Sequence, residues 1–264
     1  MTDSRRHILQ PKLERIKQIV TLVATFLGIL GPSLGFLIPG TPDTGEISGR
    51  FFREVPIIPA DYTFAIWGPI YLGFLIFAVY QAFPDQRLNA RFAKVRLWLS
   101  ASMLLNAAWI TVFGKLLFDL SAFIIFLMLV MALVMHRRLE IGVTKVYGAE
   151  RFMRLPFSLY AAWLTAATIL NVAGVLAVRN WDGFGLTHAT WGVIMLLVAS
   201  LIGFVTRFRW RDPVYGAVFV WTFVGVVVAQ GSASGIALLA GTLAVLFALT
   251  LLPLGGLRVR QASA

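Results

Sequence analysis

Eight runs of mostly apolar residues, each about as long as a bilayer is thick, divide this chain: 19–38, 62–83, 96–113, 116–136, 155–178, 190–206, 213–230 and 235–256. A helix rises 1.5 Å per residue and crosses ~30 Å of hydrocarbon in ~20 residues. Inside lipid an open segment can satisfy its backbone N–H and C=O groups only as a helix. The expected fold is therefore all-α, a polytopic membrane helix bundle. Gly114 and Lys115 alone separate the third run from the fourth. One helix through both, ~40 residues long, would be twice the bilayer, so a tight hairpin at Phe113-Gly114-Lys115 is expected. The chain is 59% hydrophobic and 13% charged, where a soluble domain carries about 25% charged residues.

The basic residues order these runs across the membrane, because cytoplasmic connections retain Lys and Arg. Arg5, Arg6, Lys12, Arg15 and Lys17 precede the first run, and Arg87, Arg91, Lys94 and Arg96 follow the second. Arg137, Arg138, Lys145, Arg151 and Arg154 follow the fourth, Arg207, Arg209 and Arg211 the sixth, and Arg258 and Arg260 the eighth. Only Arg50, Arg53, Lys115 and Arg179 fall on the other side, nineteen against four. The alternation predicts eight helices with N- and C-termini both cytoplasmic. Removing one span would put later basic loops on the wrong side. The net charge of +11 is thus spread over short loops, which implies anionic lipid headgroups as partner and no nucleic acid. Phe36-Leu37-Ile38-Pro39-Gly40 is a poor cleavage site, so the first run is expected to stay as a span. Trp98, Trp191 and Trp210 fall where an aromatic belt would sit.

The interior is poor in ionisable groups. Of the 12 acids only Asp119 falls inside a run, four residues from Lys115, and an i,i+4 ion pair is its expected role. His7, His136 and His188 lie in the tail or at loop edges, and the chain has no Cys. No metal site is expected, nor a thiol nucleophile, nor the paired acid and base that hydrolysis needs. The same poverty weighs against a proton- or sodium-driven transporter. No catalytic residue is assigned, and turnover is not expected.

What the interior does hold is aromatic: Trp67, Tyr71, Trp109, Tyr160, Trp163 and Trp221, with two amides, Asn106 and Asn171. Trp67 and Tyr71 share one face of the second helix, as Asn106 and Trp109 do of the third. The connection at about 39–61, with Gly40, Pro42, Gly45, Gly49, Pro56 and Pro59, reads as a long irregular lid over them. Spacing alone also allows these residues to be helix-to-helix glue.

Pro59-Ala-Asp-Tyr-Thr-Phe-Ala-Ile-Trp67-Gly-Pro-Ile-Tyr71, Leu105-Asn106-Ala-Ala-Trp109 with Phe113-Gly114, and Tyr160-Ala-Ala-Trp163 running to Leu170-Asn171 resemble, in order and spacing, the tryptophan-rich sensory protein or translocator protein (TspO/MBR) family. The motifs span roughly residues 20 to 178. Two departures stand out. Leu159 replaces the Pro that usually precedes the fifth-helix Tyr, with Pro156 one turn earlier, and no Tyr follows in 172–179, so cholesterol binding is not inherited. The resemblance implies a five-helix core at 19–178, binding porphyrins or other flat lipophilic molecules. Beyond it lie three additional transmembrane helices at 179–256, framed by a basic tail at 1–18 and a short one at 257–264. Asp212-Pro213-Val214-Tyr215 with Trp221 and Gly225 is similar to longer members of that family.

The expected ligand site comprises Trp67, Tyr71, Asn106, Trp109, Tyr160, Trp163 and Asn171. Rings would pack on a flat ligand and amides would bond its polar edge. No cofactor is implied beyond a tetrapyrrole as ligand. Arg50 and Arg53 could meet ligand carboxylates or pair with Glu46 and Glu54. Pro32, Pro69 and Pro253 would kink spans. Ala24-x3-Gly28, Gly31-x3-Gly35 and Ala237-x3-Gly241 could seat helices within the chain or join a homodimer, the first being expected. The rival readings are a structural or assembly subunit of a membrane complex, a carrier of an uncharged lipophile and a membrane enzyme that degrades tetrapyrrole under light.

Overall fold

The computed structural model describes residues 3–36, 42–231 and 234–252, with side chains from residue 10 and not at 32–36. Gly40, Pro253, the 257–264 tail with Arg258 and Arg260, and the side chains of Arg5, Arg6, His7 and Pro32 lie outside the described residues, as does Gly35 for packing. The α-helices are α1 (Asp3–Phe36), α2 (Thr44–Phe51), α3 (Trp67–Ala82), α4 (Ala90–Ala93), α5 (Arg96–Gly114), α6 (Phe118–Arg138), α7 (Ala149–Val178), α8 (His188–Arg209), α9 (Pro213–Gln230) and α10 (Gly235–Leu249). No strand occurs among the described residues. Six helical stretches are long and apolar enough to cross a membrane: Asp61–Ala82, Arg96–Gly114, Phe118–Arg138, Ala149–Val178, His188–Arg209 and Pro213–Gln230. Helix α10 is apolar but has 15 residues. The protein is a membrane helix bundle. Its outward side chains agree, with Leu72 60%, Leu104 53%, Phe123 59% and Leu201 65% exposed, an arrangement water would penalise and lipid does not.

Helices α1, α3, α7, α6 and α5 each pack on the next and α5 returns to α1, closing a five-helix ring. Helices α8, α9 and α10 pack on one another and reach the ring mainly through α9 on α7. Glycines set the close crossings. Gly28 lies against the Met103 backbone, so α1 meets α5 without an intervening side chain. A Cβ on Gly73 would stand 2.7 Å from Pro156 Cβ, which draws α3 onto α7. In the second unit Gly203 receives the rings of Phe219 and Phe247. The Ala24-x3-Gly28 stripe therefore works inside the chain.

Several sequence expectations need correction. Helix α1 is continuous from Asp3, so the basic stretch before residue 19 is helical; its 34 residues extend about 51 Å at 1.5 Å per residue, well beyond ~30 Å of hydrocarbon. The 39–61 connection is not irregular throughout: Asp43 caps α2, its side chain accepting from Glu46 N at 2.8 Å. Pro69 does not kink a span. It is the third residue of α3, just after the 3-10 segment Asp61–Ile66, in the first turn, where a missing N–H costs little. Trp221, within α9 as expected, is 37% exposed at the bundle surface.

Asp119 pairs with Arg179 Nε at 3.2 Å and Nη2 at 2.5 Å, not with Lys115. Lys115 caps α5, outside any helix shared with Asp119, so the i,i+4 geometry does not exist. The expected α5–α6 hairpin is present but turns at Lys115–Leu117, two residues beyond Phe113-Gly114-Lys115, with Leu116 at φ 59.

At the opposite end from the lid, Arg96 is buried and fully engaged. Its Nε donates to Gln81 Oε1 (2.9 Å), Nη1 to Glu14 Oε2 (2.6 Å) and the Arg87 carbonyl (2.9 Å), and Nη2 to the Gln86 carbonyl (2.6 Å). Gln81 and Gln18 exchange amide-to-carbonyl bonds of 3.0 and 2.6 Å. This network fastens α1, α3 and α5 together where each leaves the apolar interior.

A second buried polar joint holds the two helix groups together. His136 Nε2 lies 2.9 Å from Asp212 Oδ2, with both side chains buried, and Trp210 stacks on the imidazole at 4.5 Å. Asp212 also caps α9, accepting from Val214 N. Tyr215 shares a 2.6 Å hydrogen bond with Thr165 of α7. Trp210 and Trp98, the latter under the Arg138 guanidinium at 5.0 Å, are thus tied into the protein rather than serving as belt residues alone.

Candidate functional site

Trp67 opens α3 and stands at the centre of an aromatic cluster. Its ring lies 5.2 Å from Tyr71 (stacked), 5.5 Å from Trp109, 6.2 Å from Trp163 and 6.3 Å from Tyr160. The five rings come from α3, α5 and α7, three helices of the five-helix ring. Offset and edge-on geometries of this kind suit the ring quadrupoles. The structure therefore brings together the five aromatic residues expected from the sequence.

The two amides do something else. Asn106 is fully buried, accepts from the Tyr71 hydroxyl at 3.1 Å and donates to the Gly28 carbonyl at 3.1 Å. It binds α1, α3 and α5 to one another. Asn171 donates to the Ala167 carbonyl (3.1 Å) and accepts from Ser121 Oγ (3.2 Å). Both amides hold helices, which is the glue reading of these residues. Tyr160 likewise shares its hydroxyl with Ser102 at 2.8 Å.

The groups left unpartnered are indoles. Trp67, Trp109 and Trp163 are 7%, 3% and 0% exposed, and none of their Nε1 atoms has a hydrogen-bond partner among the described residues. A buried donor without a partner costs about 1–3 kcal/mol, and buried Trp N–H groups usually find one. Three such donors in one cluster set this region apart from the rest of the bundle.

The lid closes over the cluster. Phe52, just past α2, is 2% exposed and packs on Phe118 at 4.9 Å and Phe113 at 6.1 Å. Gly174 of α7 makes room for it: a Cβ there would lie 2.5 Å from the Phe52 ring. Beneath Phe52, a chamber bordered by Trp67, Trp109, Trp163 and Asn171 keeps only about 10 Å³, room for about one water. Beside it, a cleft of about 350 Å³ opens past Trp67, Tyr71 and Trp109 to Asp43, Asp61 and Tyr62. That volume lies within the range of small-molecule sites.

The lid residues Phe52, Ile58 and Phe64 that border the chamber are not among those expected from the sequence. The signal that would have found the lid helix is local: Asp43 at the N-cap with Glu46 at the third helical position, followed by Ile47 and Phe51. Arg50 and Arg53 do not border the cleft or the chamber. The Arg50 guanidinium sits over the Phe51 ring at 5.3 Å.

The far wall of the entrance rests on α9. Trp221 Nε1 donates to the Thr63 carbonyl at 2.8 Å, Ala60 N to the Gly225 carbonyl at 3.0 Å, and the Tyr62 ring meets Trp221 edge-on at 5.3 Å. The 3-10 segment that leads into Trp67 is thus braced by the second helix group.

Residues 16–252 match the model of TSPO-like proteins. The chain belongs to the TSPO-like family. The match runs through α10, well past the 20–178 stretch that carries the motifs, so the three later helices of this TSPO-like protein fall within the family's extent. Comparisons with curated proteins and with solved structures gave no match.

Proposed function

We propose that this TSPO-like protein binds a porphyrin-like or other lipophilic ligand in the aromatic pocket of α3, α5 and α7, for sensing or transport. The observation that carries the reading is the set of three buried, unpartnered indole N–H groups around Trp67, beside a cleft of about 350 Å³. A flat ligand carrying acceptor atoms would satisfy the donors and pack on the rings. Ligand entry displaces Phe52, since the closed chamber is too small for a drug-sized molecule. Trp67, Tyr71, Trp109, Tyr160 and Trp163 act as walls, while Asn106 and Asn171 hold the frame.

The chain crosses the membrane eight times with both termini cytoplasmic, and its basic loops meet anionic headgroups. In support, each ion pair among the described residues joins groups assigned to one side: Glu14 with Lys17 and Arg96, Glu150 with Arg91 and Arg154, and His136 with Asp212 on the cytoplasmic side, and Asp119 with Arg179 opposite.

The test is quenching of tryptophan fluorescence by protoporphyrin dimethyl ester in nanodiscs, corrected with an unrelated eight-helix protein. Saturable quenching that weakens in Trp67→Ala and Trp109→Ala supports the site. Nonsaturable partitioning equal to that of the control protein contradicts it. In that event the structural-subunit reading, which the engaged amides favour, takes its place.

A further inference from the structure

The cleft beside Trp67 carries a charge opposite to that of the whole protein. The chain has a net charge of +11, yet the cleft is bordered by Asp43 and Asp61 and by no Lys, Arg or His among the described residues. Both aspartates are exposed and neither forms an ion pair among those residues. The placement is held by backbone packing. Asp61 lies against α2 at Gly45 and Gly49, where a Cβ on Gly49 would stand 3.1 Å from Asp61 Oδ1. Asp43 caps the same helix. Arg50 of the lid sits over the Phe51 ring.

The same cleft is lined by the aromatic residues Tyr62, Trp67, Tyr71 and Trp109. Aromatic faces attract cations through their quadrupole, most strongly where water is excluded. Carboxylates at the rim add Coulomb attraction for a cation and repel a ligand carboxylate. Two features therefore select the same sign of charge, and among the described residues of the lining the groups that can meet an acceptor are neutral donors such as the Trp67 and Trp109 indole N–H groups, not cations.

We propose that this site selects lipophilic cations: a flat apolar body against Trp67, Tyr71 and Trp109, with an amine or quaternary ammonium group at the Asp43 and Asp61 rim. It discriminates against dicarboxylates, including tetrapyrroles with free propionates. The inference rests on the ligand site proposed above and assigns its charge preference.

Three probes of one skeleton separate charge from shape: protoporphyrin IX, its dimethyl ester, and its bis-amide bearing two quaternary ammonium groups. Each is titrated into protein in nanodiscs of phosphatidylcholine, with protein-free discs subtracted. The expected order of affinity is cation, then ester, then dianion, with roughly tenfold or more between the ends. Asp43→Asn/Asp61→Asn, in which Asn keeps the α2 cap, shrinks that ratio severalfold. Added salt shrinks it too, because the rim is exposed.

A dianion bound as tightly as the cation, or a ranking unmoved by the double variant, overturns the charge selection. Saturable binding of the ester that is lost in Trp67→Ala would then leave the ligand site itself standing. No saturable binding of any probe overturns both.

Discussion

Trp221 of α9 donates its indole N–H to the carbonyl of Thr63, 2.8 Å away and 158 residues earlier in the chain. The bond ties the second helix group to the segment that opens into Trp67, and it gives α8–α10 a structural task at the entrance. Trp221→Phe keeps the edge contact to Tyr62 and removes the donor, worth about 1 kcal/mol. Hydrogen exchange at residues 60–66 should speed up, with ligand affinity falling about fivefold and the protection of α5 and α6 unchanged. Equal exchange in variant and wild type would show that α9 does not hold this segment.

Phe52 is a main anchor of the lid, beside Phe51, whose ring also meets Phe118 at 5.6 Å. Phe52→Ala removes the contacts to Phe113 and Phe118 and should destabilise the closed lid by about 3 kcal/mol or more. Ligand association, followed by stopped-flow quenching, should become faster. Gly174→Ala should act in the same direction, because its methyl group would occupy the space of the Phe52 ring. Association unchanged in both variants would mean that the ligand enters by another route.

Arg96 answers to stability rather than to ligand. Its guanidinium serves four acceptors on three segments, and removing one partner of a buried pair costs about 3–5 kcal/mol. Arg96→Ala should lower the thermal midpoint in detergent strongly. Arg96→Lys should recover little, since an ammonium cannot reproduce the planar fork. Ligand affinity in the surviving folded fraction should match wild type. A Lys variant as stable as wild type would show that the charge alone matters.

The joint between the two helix groups offers a fourth check. Asp212→Asn keeps the cap on α9 and a hydrogen bond to His136, whereas Asp212→Ala loses both. The Ala variant should be the less stable by about 1–3 kcal/mol. Its earliest proteolytic cleavage should fall in 207–213, at the junction. Cleavage first at the lid would place the weak point elsewhere.

The membrane helix bundle was legible, with six helices long and apolar enough to cross a membrane, because composition repeats over about twenty residues and lipid tolerates few alternatives. The aromatic cluster was legible too: Trp67 and Tyr71, then Trp109, then Tyr160 and Trp163 sit on helical faces that the bundle turns toward one another. The roles of Asn106 and Asn171 were not, since a buried amide can serve a neighbouring helix or a ligand, and only the positions of Gly28 and Ser121 decide. Arg96 reads as one more loop cation until Glu14, 82 residues away, is seen beside it. His136 and Asp212, 76 residues apart, escaped for the same reason. Short-range rules also overreached. Lys115 and Asp119 have helical spacing but no shared helix, and Pro69 sits where a helix begins.

The central claim is that a ligand lies among Trp67, Trp109 and Trp163 beneath Phe52. The most direct measurement is photolysis of a diazirine-bearing protoporphyrin ester in nanodiscs containing the protein, with the adducts mapped by mass spectrometry. The account predicts adducts on α2, α3 and α5 around the cleft that saturate and are competed by unlabelled ester. Adducts spread over outward residues such as Leu72, Leu104 and Phe123, and unaffected by competitor, would contradict it.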